Sequence, residues 1–146
     1  MTLHTASEGI SFAREMEMAT AKFYEELARR FPEHAETFGA YAAANKKYVS
    51  DVERAYYGVI TDAIEGCYAF KGLEPDDYVI DVELGAEVDL AAAVAQAVAN
   101  EEAMLRYYTD AAEQSSGTMH DVPRAFRAVA RKRAQRISDL KAMAAR

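Results

Sequence analysis

Apolar residues return every three or four positions through four stretches of the chain, the spacing of one face of an α-helix. The first stripe is Ile10, Ala13, Glu17, Ala21, Tyr24, Ala28 and Phe31, opened by Ser7-Glu8 and closed by Pro32, where a helix stops. The second is Phe38, Tyr41, Ala42, Asn45, Tyr48, Val49, Val52 and Tyr56, ending near Gly58. The third follows Asp89, which has the character of an N-cap, through Leu90, Val94, Ala97, Glu101, Leu105, Tyr108 and Ala112. The fourth is Phe126, Val129, Ala130, Arg133, Ile137, Leu140 and Ala144, with Pro123 in a first turn that tolerates it. These stripes predict helices over 8–31, 36–58, 89–114 and 123–144.

The stretch 59–88 is different in kind. Residues 59–69 can extend the second helix, Lys71 to Asp77 is a turn-rich linker, and Val79–Leu84 alternates but is too short and isolated for a sheet. Residues 114–121 read as a polar loop around Gly117. A long connection at 59–88 suits two helices that run parallel, with a crossover between two halves of the molecule. The halves repeat each other. Glu17 and Tyr24 are echoed by Glu101 and Tyr108, Phe38-Gly-Ala-Tyr-Ala by Phe126-Arg-Ala-Val-Ala, and Val49-Ser-Asp-Val52 by Ile137-Ser-Asp-Leu140. The same register sets Asn45 against Arg133 and Tyr48 against Arg136. The expected architecture is one all-α domain over 1–146, an antiparallel four-helix bundle of two helical hairpins.

Each stripe carries one strongly polar residue near its middle: Glu17, Asn45, Glu101 and Arg133. A charge in a core costs several kcal/mol unless it is paired. Four such residues at repeat-equivalent places therefore form one constellation. One reading is a structural network of Glu17, Tyr24, Asn45, Tyr48, Glu101, Tyr108, Arg133 and Arg136. In it the Arg133 fork bridges Glu17 and Glu101, while Asn45 and the Tyr24 and Tyr108 hydroxyls fill the remaining hydrogen bonds. The other reading is a metal or ligand site, although a guanidinium in the same layer repels a cation.

Composition narrows the function. The net charge of -7 argues against a nucleic-acid or anionic-membrane partner. The lone Cys67 forms no internal disulfide and reads as a small apolar filler, and the N-terminus lacks the pattern of a secretory signal, so a cytoplasmic location is expected. No run approaches the ~18 apolar residues of a membrane span. From Arg124 onward eight Lys and Arg face one acid, Asp139. That segment either pairs with the acidic first and third helices or docks an acidic partner.

The spacing Glu17-x6-Tyr24, its echo Glu101-x6-Tyr108, the Phe38 and Phe126 blocks and the linker Phe70 to Tyr78 resemble the rubrerythrin-like branch of the ferritin-like superfamily, over about residues 8–144. The resemblance implies a carboxylate-bridged di-iron core, with one Glu from each of two helices and a Glu-x-x-His from each of the other two. The lone glutamates map onto Glu17 and Glu101. The two Glu-x-x-His motifs map onto Asn45-Lys-Lys-Tyr48 and Arg133-Ala-Gln-Arg136, and both are lost. His4, His34 and His120 fall near the N-terminus or in the expected loops. Two glutamates supply about two ligands per metal at most, against the four to six each iron needs. A unit positive charge at ~4 Å repels another by about 4 kcal/mol even at an effective dielectric near 20.

The expectation is therefore a non-catalytic binding or structural protein with no cofactor, no metal site and no catalytic residue, the positions Glu17, Asn45, Tyr48, Glu101, Arg133 and Arg136 being vestiges of a metal centre. One alternative is a di-iron protein for oxygen, peroxide or iron handling, with ligands drawn from elsewhere. Another is a binder of a small anion that uses the core arginines. A homodimer is expected from the resemblance, with either an unknown protein or a small anion as further partner.

Overall fold

The computed structural model describes residues 2–57, 69–115 and 121–145. The readings made for Gly58, 59–68 including Cys67, Gly117 and His120 lie outside the described residues. Among the described residues the chain is helical throughout, apart from a short ribbon and the segment that follows it. The helices are α1 (Ala6–Arg30), α2 (Ala35–Tyr57), α3 (Leu90–Gln114) and α4 (Asp121–Ala144). None is long and apolar enough to cross a membrane.

Local chemistry fixes the ends. The start of α1 lies one turn ahead of the apolar stripe, because Thr5 and Glu8 form a capping box. The Glu8 backbone N–H donates to Thr5 Oγ1 at 3.1 Å, and the His4 and Thr5 backbone N–H groups donate to Glu8 Oε1, each at 3.1 Å. Those two N–H groups, His4 first, hold the Glu8 carboxyl below the usual range. At the other end the Phe31 N–H returns to the Leu27 carbonyl at 2.9 Å, and Pro32 opens a 3-10 turn, Pro32–His34. Asp89 caps α3, its Oδ1 accepting from the Ala92 N–H at 2.8 Å.

The connection departs from the linker expected for it. Ala69–Leu73 is a strand, β2, paired antiparallel with β1 (Leu3–Thr5) in the register Leu3 to Leu73 and Thr5 to Ala69, with an irregularity between. The partner strand lies far away in sequence, so no local alternation announces it. Gly72 sits in the ribbon at φ 147°, and a Cβ there would press on Thr2 Cγ2 at 3.1 Å. Beyond a second 3-10 turn, Pro75–Tyr78, the chain is irregular over 79–89.

That irregular segment is held by α3. As the chain runs from Gly72 to Glu83, its partners on the helix run backwards from Gln114 to Gln96. Gly72 N–H donates to Gln114 Oε1 at 3.1 Å, and the Tyr78 hydroxyl donates to Asp110 Oδ2 at 2.6 Å. The Asn100 amide closes two bonds of 2.8 Å with the Asp81 backbone, accepting its N–H and donating to its carbonyl. Gln96 Nε2 donates to the carbonyls of Asp81 and Glu83 at 2.7 and 2.8 Å. Covered on this second side, α3 buries Ala93, Ala103, Met104, Tyr107 and Ala111 as well as Val94, Ala97, Glu101, Tyr108 and Ala112 of its predicted stripe, while Leu90 and Leu105 are half-buried.

α1 packs chiefly against α2, α3 against α4, and α2 against α4. Their buried faces form two apolar clusters. One gathers Ile10, Met16, Val52, Tyr56, Met104, Tyr108, Phe126 and Val129, with Leu3 and Leu73 of the ribbon. The other gathers Phe23, Leu27, Phe38, Ala42, Val94, Ala97 and Leu140. Glu17, Asn45, Glu101, Arg133 and Arg136 lie in sequence between the two sets on their helices, and all five are buried.

Candidate functional site: a buried layer of ions

Four helices each deliver polar atoms to one layer. Glu17, Glu101 and Arg133 have no exposed surface, and Arg136 retains 3 %. Arg133 Nη1 donates to both oxygens of Glu101, at 2.7 and 2.8 Å. Its Nη2 donates to Glu17 Oε2 and is in ion-pair contact with Oε1. One planar fork thus spans α1 and α3, a geometry that Lys cannot supply. Arg136, one turn further along α4, donates from Nη1 to Glu101 Oε1 at 3.0 Å and to Asn45 Oδ1 at 2.7 Å, and from Nη2 to the Tyr41 carbonyl at 3.3 Å.

The amide and the hydroxyls complete the layer. Asn45 Nδ2 donates to Thr20 Oγ1 at 2.8 Å and to the Glu17 backbone carbonyl at 3.1 Å. Thr20 in turn donates to the Met16 carbonyl at 2.9 Å. The Tyr24 hydroxyl donates to Glu101 Oε1 at 2.6 Å. Tyr48 enters with its ring: the Arg133 and Arg136 guanidinium carbons stand 5.1 and 5.6 Å from its centroid. Tyr41 and Tyr24 face Arg136 as well, at 4.5 and 5.3 Å. Arg136 is therefore enclosed by three aromatic rings that favour a cation.

One part of the expected network is corrected. Tyr108 is buried in the same region, but its hydroxyl has no hydrogen-bond partner among the described residues. The guanidinium ends that could have met it are spent on Glu17, Glu101 and Asn45. Its ring instead packs against Tyr107 and Phe126, at 5.6 and 5.9 Å between centroids. Arg133 Nε is likewise without an acceptor. Thr20 and Tyr41 were not singled out as site residues. Thr20 carried a signal, being polar one turn after Glu17; the Tyr41 contribution is a backbone carbonyl and a ring face, which residue type does not announce.

The electrostatics balance. Two carboxylates meet two guanidiniums, so the layer is neutral in sum. Burial raises the Glu101 carboxyl, while Arg136 and the Tyr24 hydroxyl oppose the rise. Burial and the Arg136 charge pull Arg133 below the ordinary guanidinium value; the carboxylates on its fork hold the proton in place. For Arg136 burial works against the charge, but Glu101, Tyr24 and Tyr48 lift it overall. Burial, then Glu101, pushes Tyr24 far up, so it remains a donor.

The donor set does not fit a di-iron centre. Both carboxylates are bound to guanidinium groups, and the residues at the two Glu-x-x-His places offer an amide, a phenol ring and two cations. Among the described residues no three of His, Cys, Asp and Glu gather as a metal would need. His4 is exposed on β1, and His34 lies in the 3-10 turn against Phe38. Compared with known proteins, the chain matches no family model, no curated protein and no solved structure.

Proposed function

We propose that the protein is a metal-free ferritin-like bundle of the rubrerythrin-like kind, in which an ion network stands in for the di-iron centre, and that it works as a non-catalytic binding or structural protein. One observation carries the reading: the Arg133 fork lies buried between Glu17 and Glu101, where a bridging metal pair would need those same oxygens. A guanidinium at that place supplies the positive charge that keeps two buried carboxylates ionised, without ligand exchange or redox change.

The order of the helices supports the two-hairpin architecture. α1 and α4 pass from the ribbon-end cluster to the other, and α2 and α3 pass back. Consecutive α2 and α3 then run parallel, and a crossover must return the chain between them. A small-anion site has less support, because the arginine donors that would hold the anion already serve Glu17, Glu101, Asn45 and the Tyr41 carbonyl.

The test is metal content per chain after anaerobic loading with ferrous iron and desalting. A ratio near zero is expected. A ratio near two would overturn the reading and assign Glu17 and Glu101 to a working metal site.

A further inference from the structure

The cations of α4 do not share one fate. Arg133 and Arg136 are spent in the core, and Lys141 lies 4.0 Å from Glu102 of α3. Arg127, Arg131 and Lys132 are exposed on the outer face of the helix. None of these three has a carboxylate partner among the described residues. Lys132 instead reaches across to α2, its ammonium 5.3 Å from the Tyr48 ring centroid.

α2 continues the patch. Asn45 meets Arg136 and Tyr48 meets Arg133, so the two helices run antiparallel side by side. Lys47 and Arg54, exposed and two turns apart on α2, therefore stand level with Lys132 and Arg127. Neither has a carboxylate partner among the described residues, and Asp51 between them is half-buried and forms no ion pair there. Ala44 and Ala55 share the stripe of Tyr48, and Ala125 that of Lys132. All three are half-buried against the core and keep the seam between the two helices free of bulky side chains. Five cations thus gather within about 10 Å of helix length, on a chain whose net charge is -7. The opposite charge is concentrated elsewhere: residues 74–89 hold seven Asp and Glu and no Lys or Arg, in the connection that lies along α3 and α1.

We propose that the seam of α2 and α4 docks an acidic helical segment of a partner protein. Rows of cations beside a seam of small residues match a helix that carries carboxylates every third or fourth residue. Arg127 and Arg131, one turn apart, can each take a carboxylate in a two-bond fork. A duplex or a membrane, uniformly negative over a longer span, would overrun this short patch and meet the acidic remainder of the surface. Such a partner rests on the binding role proposed above and gives it a chemistry. The iron-loading test reads the core and the test below reads the surface, so either can fail alone.

The probe is a labelled, alanine-based helical peptide with Glu at every third or fourth position, titrated with the full chain at low salt and followed by fluorescence anisotropy. Saturable binding that weakens as salt is added is expected. Arg127→Glu with Arg131→Glu should weaken it roughly tenfold, and Lys47→Glu, on the other helix, roughly threefold, with helical circular dichroism retained. Lys22→Glu with Lys46→Glu changes the net charge as much as the arginine pair does, but on the α1 side, where Lys46 pairs with Glu25. Binding to that variant should stay within about twofold of the parent. No saturable binding, an equal loss in the Lys22 and Lys46 variant, or a peptide with Gln in place of Glu that binds as tightly would each overturn the proposal. So would tighter binding of a short DNA duplex or of phosphatidylserine vesicles, which would assign the patch to phosphates.

Discussion

A guanidinium between two buried carboxylates holds apart the repulsion that its absence would release. Replacing Arg133 by Met keeps much of the side-chain volume but strands Glu17 in the core, while Glu101 keeps Arg136 and the Tyr24 hydroxyl. Breaking a buried ion pair from one side typically costs about 3–5 kcal/mol, and thermal unfolding of Arg133→Met is expected to show a loss of that size. Arg133→Met combined with Glu17→Gln removes the stranded charge, leaves Arg136 paired with Glu101, and is expected to recover part of it. If the single variant melts with the parent, the layer is not held by charge. Asn45 acts differently: one amide joins Arg136 to Thr20 and the Glu17 carbonyl, so it links α1, α2 and α4 without a charge of its own.

Among elements, the connection shows best how an irregular stretch is made definite. A loop without a ladder must satisfy its backbone elsewhere, and here side chains on α3 do so. Gln96, Asn100, Asp110 and Gln114 fall on one face of that helix, and each meets the connection. Asn100→Ala removes the donor and the acceptor that serve Asp81. It is expected to cost about 1–3 kcal/mol, the penalty for partly buried polar groups left unpaired. Amide exchange at Asp81 measures the local effect, which should rise more than exchange within α1. α4 illustrates the opposite division of labour. Arg133 and Arg136 turn inward, while Arg127 and Arg131 stay exposed and Lys132 lies 5.3 Å from the Tyr48 ring centroid. A basic helix is thus partly a core helix.

At the scale of the whole molecule, the tyrosines tie stability to pH. Tyr24, Tyr41, Tyr78, Tyr107 and Tyr108 are all raised above the ordinary value of 10.0, burial being the first cause for each. The native chain therefore keeps protons that the unfolded chain gives up above that value. Stability from these groups is complete below pH 10 and falls as the pH rises further. Phenolate absorbance should show fewer of the nine tyrosines titrating near pH 10 in the native chain than in denaturant. Full titration of all nine without unfolding would contradict their burial.

The sequence by itself determined the four helices, since the period of 3.6 and the caps are local properties of the chain. It also marked Glu17, Asn45, Glu101 and Arg133 as a set, because a polar residue on an apolar stripe is costly wherever the helix packs. It did not show the strand at Ala69–Leu73, whose partner at Leu3–Thr5 is distant along the chain. Nor did it show the polar face of α3 that secures the connection, since the groups bound there are backbone and carry no residue identity. Only the tertiary structure decided which atoms within the layer meet. It gave the Arg133 fork to Glu17 and Glu101, drew the ring of Tyr48 over the guanidiniums, and left the Tyr108 hydroxyl without a partner among the described residues. Those outcomes depend on the rotation and height of each helix against its neighbours, fixed by how two separate apolar clusters pack around the layer rather than by any pattern within one helix.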